Sequence, residues 1–496
     1  MHRHLLSLLA GAVLPFAFAP FGQFWIAPLS YAALFYLWRG ARPVAAFWTG
    51  LLYGLASFGF GTYWTYIAIH VIGEVPIALA LIVSCALVLT LALFVAVAGV
   101  IAARWFKTDG VWAWFGTLPA LWVLAEWLRG WAFTGFGWLA AGYSQSDSWL
   151  MGYAPLLGVH GISFAVTLAS GALLALVFGT KWVRSAAAGT LVAVAGVGFA
   201  AANHDWTRPK ERMLTVALVQ GAVKQDLKWR PEQLPATLEL YSGLSERVAG
   251  SDLIVWPEAA IPDLYERVTA YLAALRAWSK QHGSTVLLGV LRADPSGGSA
   301  TFQNVLVALT DTPLVYVKRH LVPYGEYYPV PKFMRSWLQM MNVPDSDAVP
   351  GAADQPPLEV AGESIAATIC YEDVFGAEQL HYLPDATLLV NVSNDAWFGD
   401  SIAPHQHLQI ARVRAAEVGR YLLRATNTGI TAFVDPHGLV IARAPQFEPA
   451  VLTATVRGYT GATPYARWGN YPVIVAALLV LAIQWATRFT ASRRPR

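Results

Sequence analysis

Long apolar stretches constrain what this chain can fold into more than any other feature of its sequence. A helix that crosses the hydrocarbon core of a bilayer needs about 20 mostly apolar residues. Candidate spans lie at residues 5–20, 24–38, 44–64, 76–103, 111–128, 161–179, 185–202 and 471–488. Hydrophobic residues make up 56% of the chain, and the mean hydropathy is +0.45. The sequence therefore predicts an α-helical membrane bundle of about eight transmembrane helices.

The first apolar stretch also has the features of a signal peptide. The opening MHRHLLSLLAGAVLPFAFAP combines a basic start, an apolar run and small residues, as a cleaved leader does. We interpret it as a membrane helix, because further apolar spans follow it directly.

Basic residues in the short segments between the spans predict the orientation. With the N-terminus in the cytoplasm, eleven Lys and Arg residues fall in cytoplasmic segments and only Arg129 falls in the opposite loops. Short loops rich in Lys and Arg stay on the cytoplasmic side. The bias predicts that residues 204–470 lie outside the cytoplasm. In a bacterium, this is the periplasmic side of the inner membrane.

The segment between the last two spans has the pattern of a soluble α/β domain. Runs such as LTVALVQGAV and SDLIVWPEAA are typical of buried strands, whereas LYERVTAYLAALRAWSKQHG and HLQIARVRAAEVGRYLLRAT indicate helices. Alternating strands and helices predict a layered α/β domain. We expect transmembrane helices one to seven in 1–203, one outer domain in 204–470, and the last helix with a basic cytoplasmic tail in 471–496.

A solitary cysteine, Cys370, follows the strand-like run SIAATI. A free cysteine is most often a small buried hydrophobe. The other cysteine, Cys85, lies within a predicted membrane span and is a poor disulfide partner for a thiol in the outer domain. An unpaired thiol in an oxidising compartment, at the end of a strand of an α/β sheet, indicates a candidate nucleophile.

A thiol needs a base before it can act as a nucleophile near neutral pH. His405 and His407 form a close pair, but no third or fourth ligand accompanies them at useful spacing, so we predict no metal site. Glu258 ends the run DLIVWPE, as a candidate base or a solvated loop acid. Lys318 lies in the apolar strand-like run VYVKRHLVPYG. It faces water by default, or it stabilises a developing oxyanion.

Three motifs that carry these residues resemble a known superfamily. The segments WPEAAIP, KRHLVPYGEY and CYEDVF, in this order and at these separations, are similar to the motifs of the nitrilase superfamily. Members of that superfamily use a Glu-Lys-Cys triad on an αββα sandwich. Together with the membrane spans, the sequence resembles the apolipoprotein N-acyltransferase family over essentially the whole chain. The resemblance implies a membrane bundle that carries a nitrilase-like αββα sandwich domain.

The resemblance implies a role for each residue that matches a family motif. Glu258 corresponds to the general base, Lys318 to the residue that stabilises the tetrahedral intermediate, and Cys370 to the nucleophile. The supporting positions are Glu326 as a second glutamate near the triad, Tyr371 and Glu372 after the nucleophile, and Trp229 on the substrate side. The acids beside the nucleophile are expected to position the base and the amine, and the backbone N–H of Tyr371 to help bind the oxyanion. One position departs from the pattern: Ala222 stands where the family often has Asn.

The activity implied by the resemblance is a ping-pong acyl transfer without a cofactor or metal. A fatty acyl chain would pass from a phospholipid, with phosphatidylethanolamine as the expected donor, through a cysteine thioester to the N-terminal S-diacylglyceryl cysteine of an apolipoprotein. The net charge of +3 is small for a chain of this length and does not indicate nucleic-acid binding. The alternatives are a membrane-tethered amidase or nitrilase that hydrolyses a C–N bond, and a non-catalytic transporter or scaffold, which the complete triad disfavours.

Overall fold

The computed structural model describes residues 2–295, 301–323, 325–327 and 348–492. A helical N-terminal region is followed by an α/β region and a C-terminal helix. The longer helices of the N-terminal region are α1 (His2–Val13), α2 (Ile26–Trp38), α3 (Pro43–Gly61), α4 (Ile77–Trp105), α5 (Leu118–Arg129), α6 (Ala154–Phe178) and α7 (Lys181–Ala202). Short helical turns are left unnumbered. The helical character predicted for this region is confirmed.

Four helices of the described residues are long and apolar enough to cross a membrane. They are Pro43–Gly61, Ile77–Trp105, Trp149–Phe178 and Lys181–Ala202. Ile26–Trp38 and Tyr471–Thr487 are shorter apolar helices, and the predicted spans at 5–20 and 111–128 overlap the short helices α1 and α5. The count of eight spans therefore stays a prediction.

Small residues let α3 and α4 approach closely. A Cβ added at Gly50 would stand 2.9 Å from the Cα of Ala96, and one at Gly54 would stand 2.6 Å from the Cα of Ala92. In a membrane, helices gain stability from such close van der Waals contact, because lipid offers no hydrophobic drive for helix association. Substitution of either glycine by a larger residue would force the two helices apart.

The α/β region contains two sheets. Its strands are β1 (Arg208–Gln220), β2 (Leu253–Val255), β3 (Ile261–Leu264), β4 (Thr285–Ala293), β5 (Phe302–Ala308), β6 (Leu314–Val317), β7 (Leu358–Val360), β8 (Glu363–Ile369), β9 (Leu388–Ser393), β10 (Leu422–Thr426), β11 (Ala432–Val434), β12 (Val440–Arg443) and β13 (Ala450–Thr460). In the described residues, the first sheet has the order β13-β1-β2-β4-β5-β6, with β3 beside β4, and the second has the order β12-β11-β10-β9-β8-β7. The centre of each sheet is parallel, through β1-β2-β4 and β8-β9-β10.

Side-chain alternation along the strands explains how the sheets pack. In β1, Leu214 and Val216 join the same buried cluster as Ile365 and Val390 of the second sheet. The next side chain, that of Ala217, faces the other way, into a cluster formed with α8 (Leu234–Glu246) and α9 (Thr269–Gln281). Because successive side chains of a strand point to opposite faces, the sheets lie face to face with helices outside. The predicted α/β layered domain is confirmed.

The outer layer of the second sheet is α10 (Ala403–Val418), which also packs against α6 of the membrane region. Its polar side chains are buried as well as its apolar ones. The prediction of one helix from His407 to Thr426 is wrong in its second half. Gly419 has φ +63° and ends the helix, since glycine adopts this left-handed conformation without steric cost. The chain then returns as β10, parallel to β9.

The two halves of the molecule meet where α6 is interrupted. Gly158 has φ +68° inside this helix, so the helical hydrogen bonding is broken there. The backbone N–H of Val159 donates to Glu417 Oε1 of α10 at 2.8 Å. Glu417 is also paired with Arg414 at 2.8 Å. Burial raises the pKa of Glu417 to about 7, although Arg414 and the Val159 N–H both act to lower it. The C-terminal helix α11 (Tyr471–Ser492) returns to the membrane region and packs against α5.

Candidate active site

The candidate nucleophile stands at a strained turn. Cys370 directly follows β8, is 9% exposed, and opens a 3-10 turn that ends at Val374. Its φ is +54°, a left-handed conformation that is uncommon for residues other than glycine. Strained strand-to-helix turns of this kind present nucleophiles in other enzymes. The prediction that Cys370 stands at the end of a strand is confirmed by this geometry.

Glu258, Lys318 and Glu326 form one buried ion network. Lys318 Nζ lies 3.1 Å from Glu258 Oε1 and 2.7 Å from Glu326 Oε1. Glu258 also accepts a hydrogen bond from Asn304 Nδ2 at 2.7 Å and one from the backbone N–H of Asn394 at 2.8 Å. These bonds fix both oxygens of the Glu258 carboxylate. The structure therefore brings Glu258 next to Lys318, which lies 60 residues later in the sequence, and Glu326 contacts the same lysine.

The sequence predicts Glu258 at the end of a strand and Lys318 inside one, and the structure places both residues beyond the strand ends. β2 ends at Val255, so Glu258 lies in the loop beyond it, and β6 ends at Val317. The prediction that Lys318 lies inside a strand is therefore wrong. Its backbone N–H still donates to the Asn304 carbonyl at 2.9 Å, which anchors the lysine at the end of the sheet.

Burial and neighbouring charges set the protonation of this site. Burial alone would lower the pKa of Lys318, but Glu258 and Glu326 outweigh it and raise that pKa well above the ordinary lysine value. Burial and the charge of Glu258 raise the pKa of the Cys370 thiol well above its usual range, and Lys318 opposes them. The resting site therefore holds a protonated thiol and a charged lysine.

Glu372 holds the nucleophile turn and the segment after Lys318 together. Its carboxylate accepts backbone N–H groups from Ile369 at 2.7 Å and from Arg319 at 2.6 Å. It also accepts the Tyr316 hydroxyl at 2.9 Å and 3.0 Å through its two oxygens. Burial raises the pKa of Glu372 despite these donors. The carboxylate thus bonds to the backbone that carries Cys370 and to the backbone that follows Lys318.

Tyr371 connects the nucleophile turn to the membrane region. Its hydroxyl donates to the Gly135 carbonyl at 2.6 Å, and its ring stacks on Trp138 with centroids 5.7 Å apart. His320 contacts the Thr134 carbonyl at 3.1 Å. The loop from 130 to 139 therefore touches the segments that follow both Cys370 and Lys318.

Lys228 lies beside the candidate base Glu258, and Trp229 is its neighbour in the chain. Trp229 is 45% exposed, whereas Lys228 is 2% exposed. Lys228 Nζ donates to the backbone carbonyl of Glu258 at 3.2 Å and stands 5.8 Å from the centre of the Trp229 ring. Sequence reasoning missed Lys228, because a lysine in a short polar helix carries no sign that it is buried.

The left-handed backbone of Ala222 suits the asparagine of the family pattern better than the alanine found here. Ala222 has φ +51°, a conformation that asparagine tolerates better than alanine does. Polar contacts at this point come instead from Asn427, whose carbonyl accepts the Ala222 N–H at 3.0 Å and whose side chain accepts the Val223 N–H at 3.0 Å.

A second buried charge network lies behind the nucleophile turn. His407 contacts Asp373 and Asp395 at 2.9 Å each, one through each ring nitrogen. Arg424 pairs with the same two carboxylates at 3.0 Å and 3.1 Å. Burial and Arg424 act to lower the pKa of His407, but the two aspartates prevail and raise it to about 9. His405 is not part of this network. Sequence reasoning singled out the two histidines as a pair and missed the aspartates.

Comparison with known proteins identifies the class and then the family. Residues 215–465 match a family model described as carbon-nitrogen hydrolase, and residues 10–172 match one described as apolipoprotein N-acyltransferase N-terminal domain. The first match assigns the α/β region to the carbon-nitrogen hydrolase class.

Relatives match over nearly the whole chain. An apolipoprotein N-acyltransferase of Methylococcus capsulatus is 43% identical over 98% of this chain and 97% of its own length. One of Nitrosomonas europaea is 42% identical over 99% of each. The chain therefore belongs to the apolipoprotein N-acyltransferase family. Among solved structures, the C. elegans NitFhit protein aligns with 57% of this chain and 65% of its own length. The aligned residues are 17% identical, and the TM-score is 0.39.

Proposed function

We propose that this protein moves a fatty acyl chain from the sn-1 position of a phospholipid, with phosphatidylethanolamine as the donor, to an apolipoprotein. The acceptor is the α-amino group of the N-terminal S-diacylglyceryl cysteine. The observation that carries the proposal is the buried Glu258–Lys318 pair, 3.1 Å apart, whose charges both act on the Cys370 thiol. The relatives bear the name of this activity.

In the first half-reaction, Glu258 takes the thiol proton while the Cys370 sulfur attacks the ester carbonyl. Lys318 and the backbone N–H of Tyr371 stabilise the negative oxygen of the tetrahedral intermediate. The C–O bond then breaks, and Glu258 returns the proton to the leaving alkoxide. The products are a lysophospholipid and an acyl thioester on Cys370.

In the second half-reaction, the neutral α-amine of the acceptor attacks the thioester carbonyl. Glu258 takes a proton from the attacking nitrogen, the C–S bond breaks, and the proton passes to the departing Cys370 sulfur. The products are an amide and the free enzyme. A thioester suits these two half-reactions, because it holds the acyl chain yet reacts readily with an amine.

The supporting residues keep this geometry in place. Glu326 holds Lys318 at 2.7 Å, so that the lysine keeps its charge in a buried site. Glu372 fixes the nucleophile turn through the Ile369 N–H. Tyr371 ties the turn to the Gly135 carbonyl. Trp229, which is 45% exposed, contacts the substrate.

The proposed location follows from the membrane-bound nature of both substrates. We propose eight membrane spans in the bacterial inner membrane, with seven in 1–203 and one in 471–496. The catalytic domain, 204–470, then faces the periplasm. Support comes from the eleven-to-one bias of basic residues and from the four long apolar helices. An apolar site that faces lipid keeps water from the thioester.

The rival activity is hydrolysis of a C–N bond by a membrane-tethered amidase. It would use the same three residues and pass the acyl group to water. The match of residues 10–172 to the acyltransferase N-terminal domain gives it less support. The two activities differ in whether turnover requires an amine.

Trapping of the acyl-enzyme tests the proposal. The purified protein is incubated in detergent with phospholipid and no acceptor. The mass of the peptide that contains Cys370 is then measured by mass spectrometry. We expect one acyl chain on Cys370, and its discharge when a diacylglyceryl-cysteine peptide is added. A Cys85→Ala variant should behave like wild type, and Cys370→Ala should trap nothing. An unmodified Cys370, or discharge to water at the same rate without the peptide, would contradict the proposal.

A further inference from the structure

Lys228 is a buried cation that the three catalytic roles leave unused. It is 2% exposed and ends the short helix Gln225–Lys228. Within the described residues, the one hydrogen bond of its ammonium group runs from Nζ to the backbone carbonyl of Glu258 at 3.2 Å. An ammonium group has three donors, so two of them are left for other partners. Burial of an ammonium group with an incomplete set of partners costs free energy. Groups buried at such a cost are typical of functional sites.

The charges around Glu258 indicate that use. Glu258 and Glu326 share the single cation Lys318, and ionisation of Cys370 adds a third negative charge to the same site. With Lys228 the cations number two. Burial lowers the pKa of Lys228 to about 8, while Glu258 and then Cys370 act to raise it. The ammonium of Lys228 therefore interacts electrostatically with both Glu258 and Cys370.

We propose that Lys228 is a positioning residue of the active site, which holds the main chain of Glu258 and supplies a second positive charge that favours the Cys370 thiolate. The inference rests on the proposed function only in taking Cys370 as the nucleophile. The lysine acts on Glu258 through a hydrogen bond and on Cys370 through its field, and it need not touch the substrate.

The test uses the full-length protein in detergent and two alkylating reagents of similar size. Iodoacetamide is neutral, and iodoacetate carries a negative charge. The rate at which each modifies Cys370 is measured at pH 7 by mass spectrometry, without lipid or acceptor. The variants are Lys228→Gln, which keeps a donor for the Glu258 carbonyl, Lys228→Met, which removes it, and Lys228→Arg, which keeps the charge. Lys224→Met removes an exposed lysine four residues earlier and is the matched control.

We expect Lys228→Gln and Lys228→Met to lower the alkylation rate about tenfold, as a rise of one unit in the thiol pKa would. The ratio of the iodoacetate rate to the iodoacetamide rate should also fall by about threefold, because a positive charge that attracts the anionic reagent is lost. Lys228→Arg and Lys224→Met should keep both values. In wild type the same ratio should fall as the pH rises through about 8, where Lys228 loses its charge.

Two outcomes would overturn the inference. An unchanged reagent ratio in Lys228→Gln, which means that both reagents are affected equally, would leave Lys228 with a structural role alone. A wild-type ratio that stays flat from pH 7 to 10 would contradict the charge effect without any variant, so the test survives if a variant fails to fold. Because alkylation involves no acyl donor, these outcomes are distinct from a failure of the acyl-enzyme trap.

Discussion

Alkaline pH should weaken the fold through His407. The fold raises the pKa of this histidine to about 9 from an ordinary value of 6.5, since Asp373 and Asp395 each contact a ring nitrogen at 2.9 Å. A raised pKa means that the stabilisation is complete below pH 6.5 and is lost as the pH rises through 9. The shift corresponds to about 3 kcal/mol. In a domain of this size, that amounts to roughly 6–12 °C in the midpoint of thermal unfolding.

The assay is thermal unfolding of the protein in detergent, followed by tryptophan fluorescence from pH 6 to pH 10. His407→Gln should start at a lower midpoint, because it leaves Asp373 and Asp395 with Arg424 as their remaining cation. Its midpoint should then fall less with pH than that of wild type. Other groups that titrate in this range act equally in both proteins and cancel in the comparison. His405→Gln, two residues earlier on the same helix, should follow wild type. Parallel pH profiles for wild type and His407→Gln would refute the reasoning.

Three further predictions concern the reaction and the topology. Glu258→Gln should abolish acyl-enzyme formation with normal expression, since the amide cannot accept the thiol proton; acyl-enzyme accumulation at the wild-type rate would assign the base to another residue. Cys370→Ser should block N-acylation as fully as Cys370→Ala, because a hydroxyl is harder to deprotonate than a thiol; mass spectrometry of lipoprotein N-termini from depleted cells checks this, and full triacylation with Cys370→Ala would remove Cys370 from the mechanism. In a Cys85→Ala background, a cysteine at the exposed position Glu246 should label from the periplasm and one at the exposed position Ser185 should not; reversed labelling would overturn the orientation.

The fold could be predicted from the sequence wherever a single pattern of apolar residues dominates a segment. The helices of the membrane region and the strands of the α/β region follow from apolar runs and alternation. The stretch from His407 to Thr426 could not be predicted correctly. Its helical half is buried on most sides, so its periodicity is weak, and Leu422–Thr426 is apolar enough for either state. Pairing with β9 decides the outcome, and such long-range contact is invisible to a local pattern.

The candidate site could be predicted only as far as its motifs extend. Glu258, Lys318 and Cys370 stand in recognisable segments, and the structure brings the first two within 3.1 Å. Asn304 and Lys228 stand in no such segment, and their side chains matter because of what the fold places beside them. Buried polar groups of this kind are recognised by their partners, which a sequence does not contain.

The bond from Tyr371 to the Gly135 carbonyl means that the two halves of the protein are not interchangeable modules. A chimera that joins the catalytic domain to the membrane region of another family member would replace the loop that seats the residue after the nucleophile. The stack of Trp138 on Tyr371 would be exchanged at the same time. A working hybrid must therefore carry the segment 130–139 together with its own α/β domain, because Gly135 and Tyr371 are in contact although 236 residues separate them in the sequence.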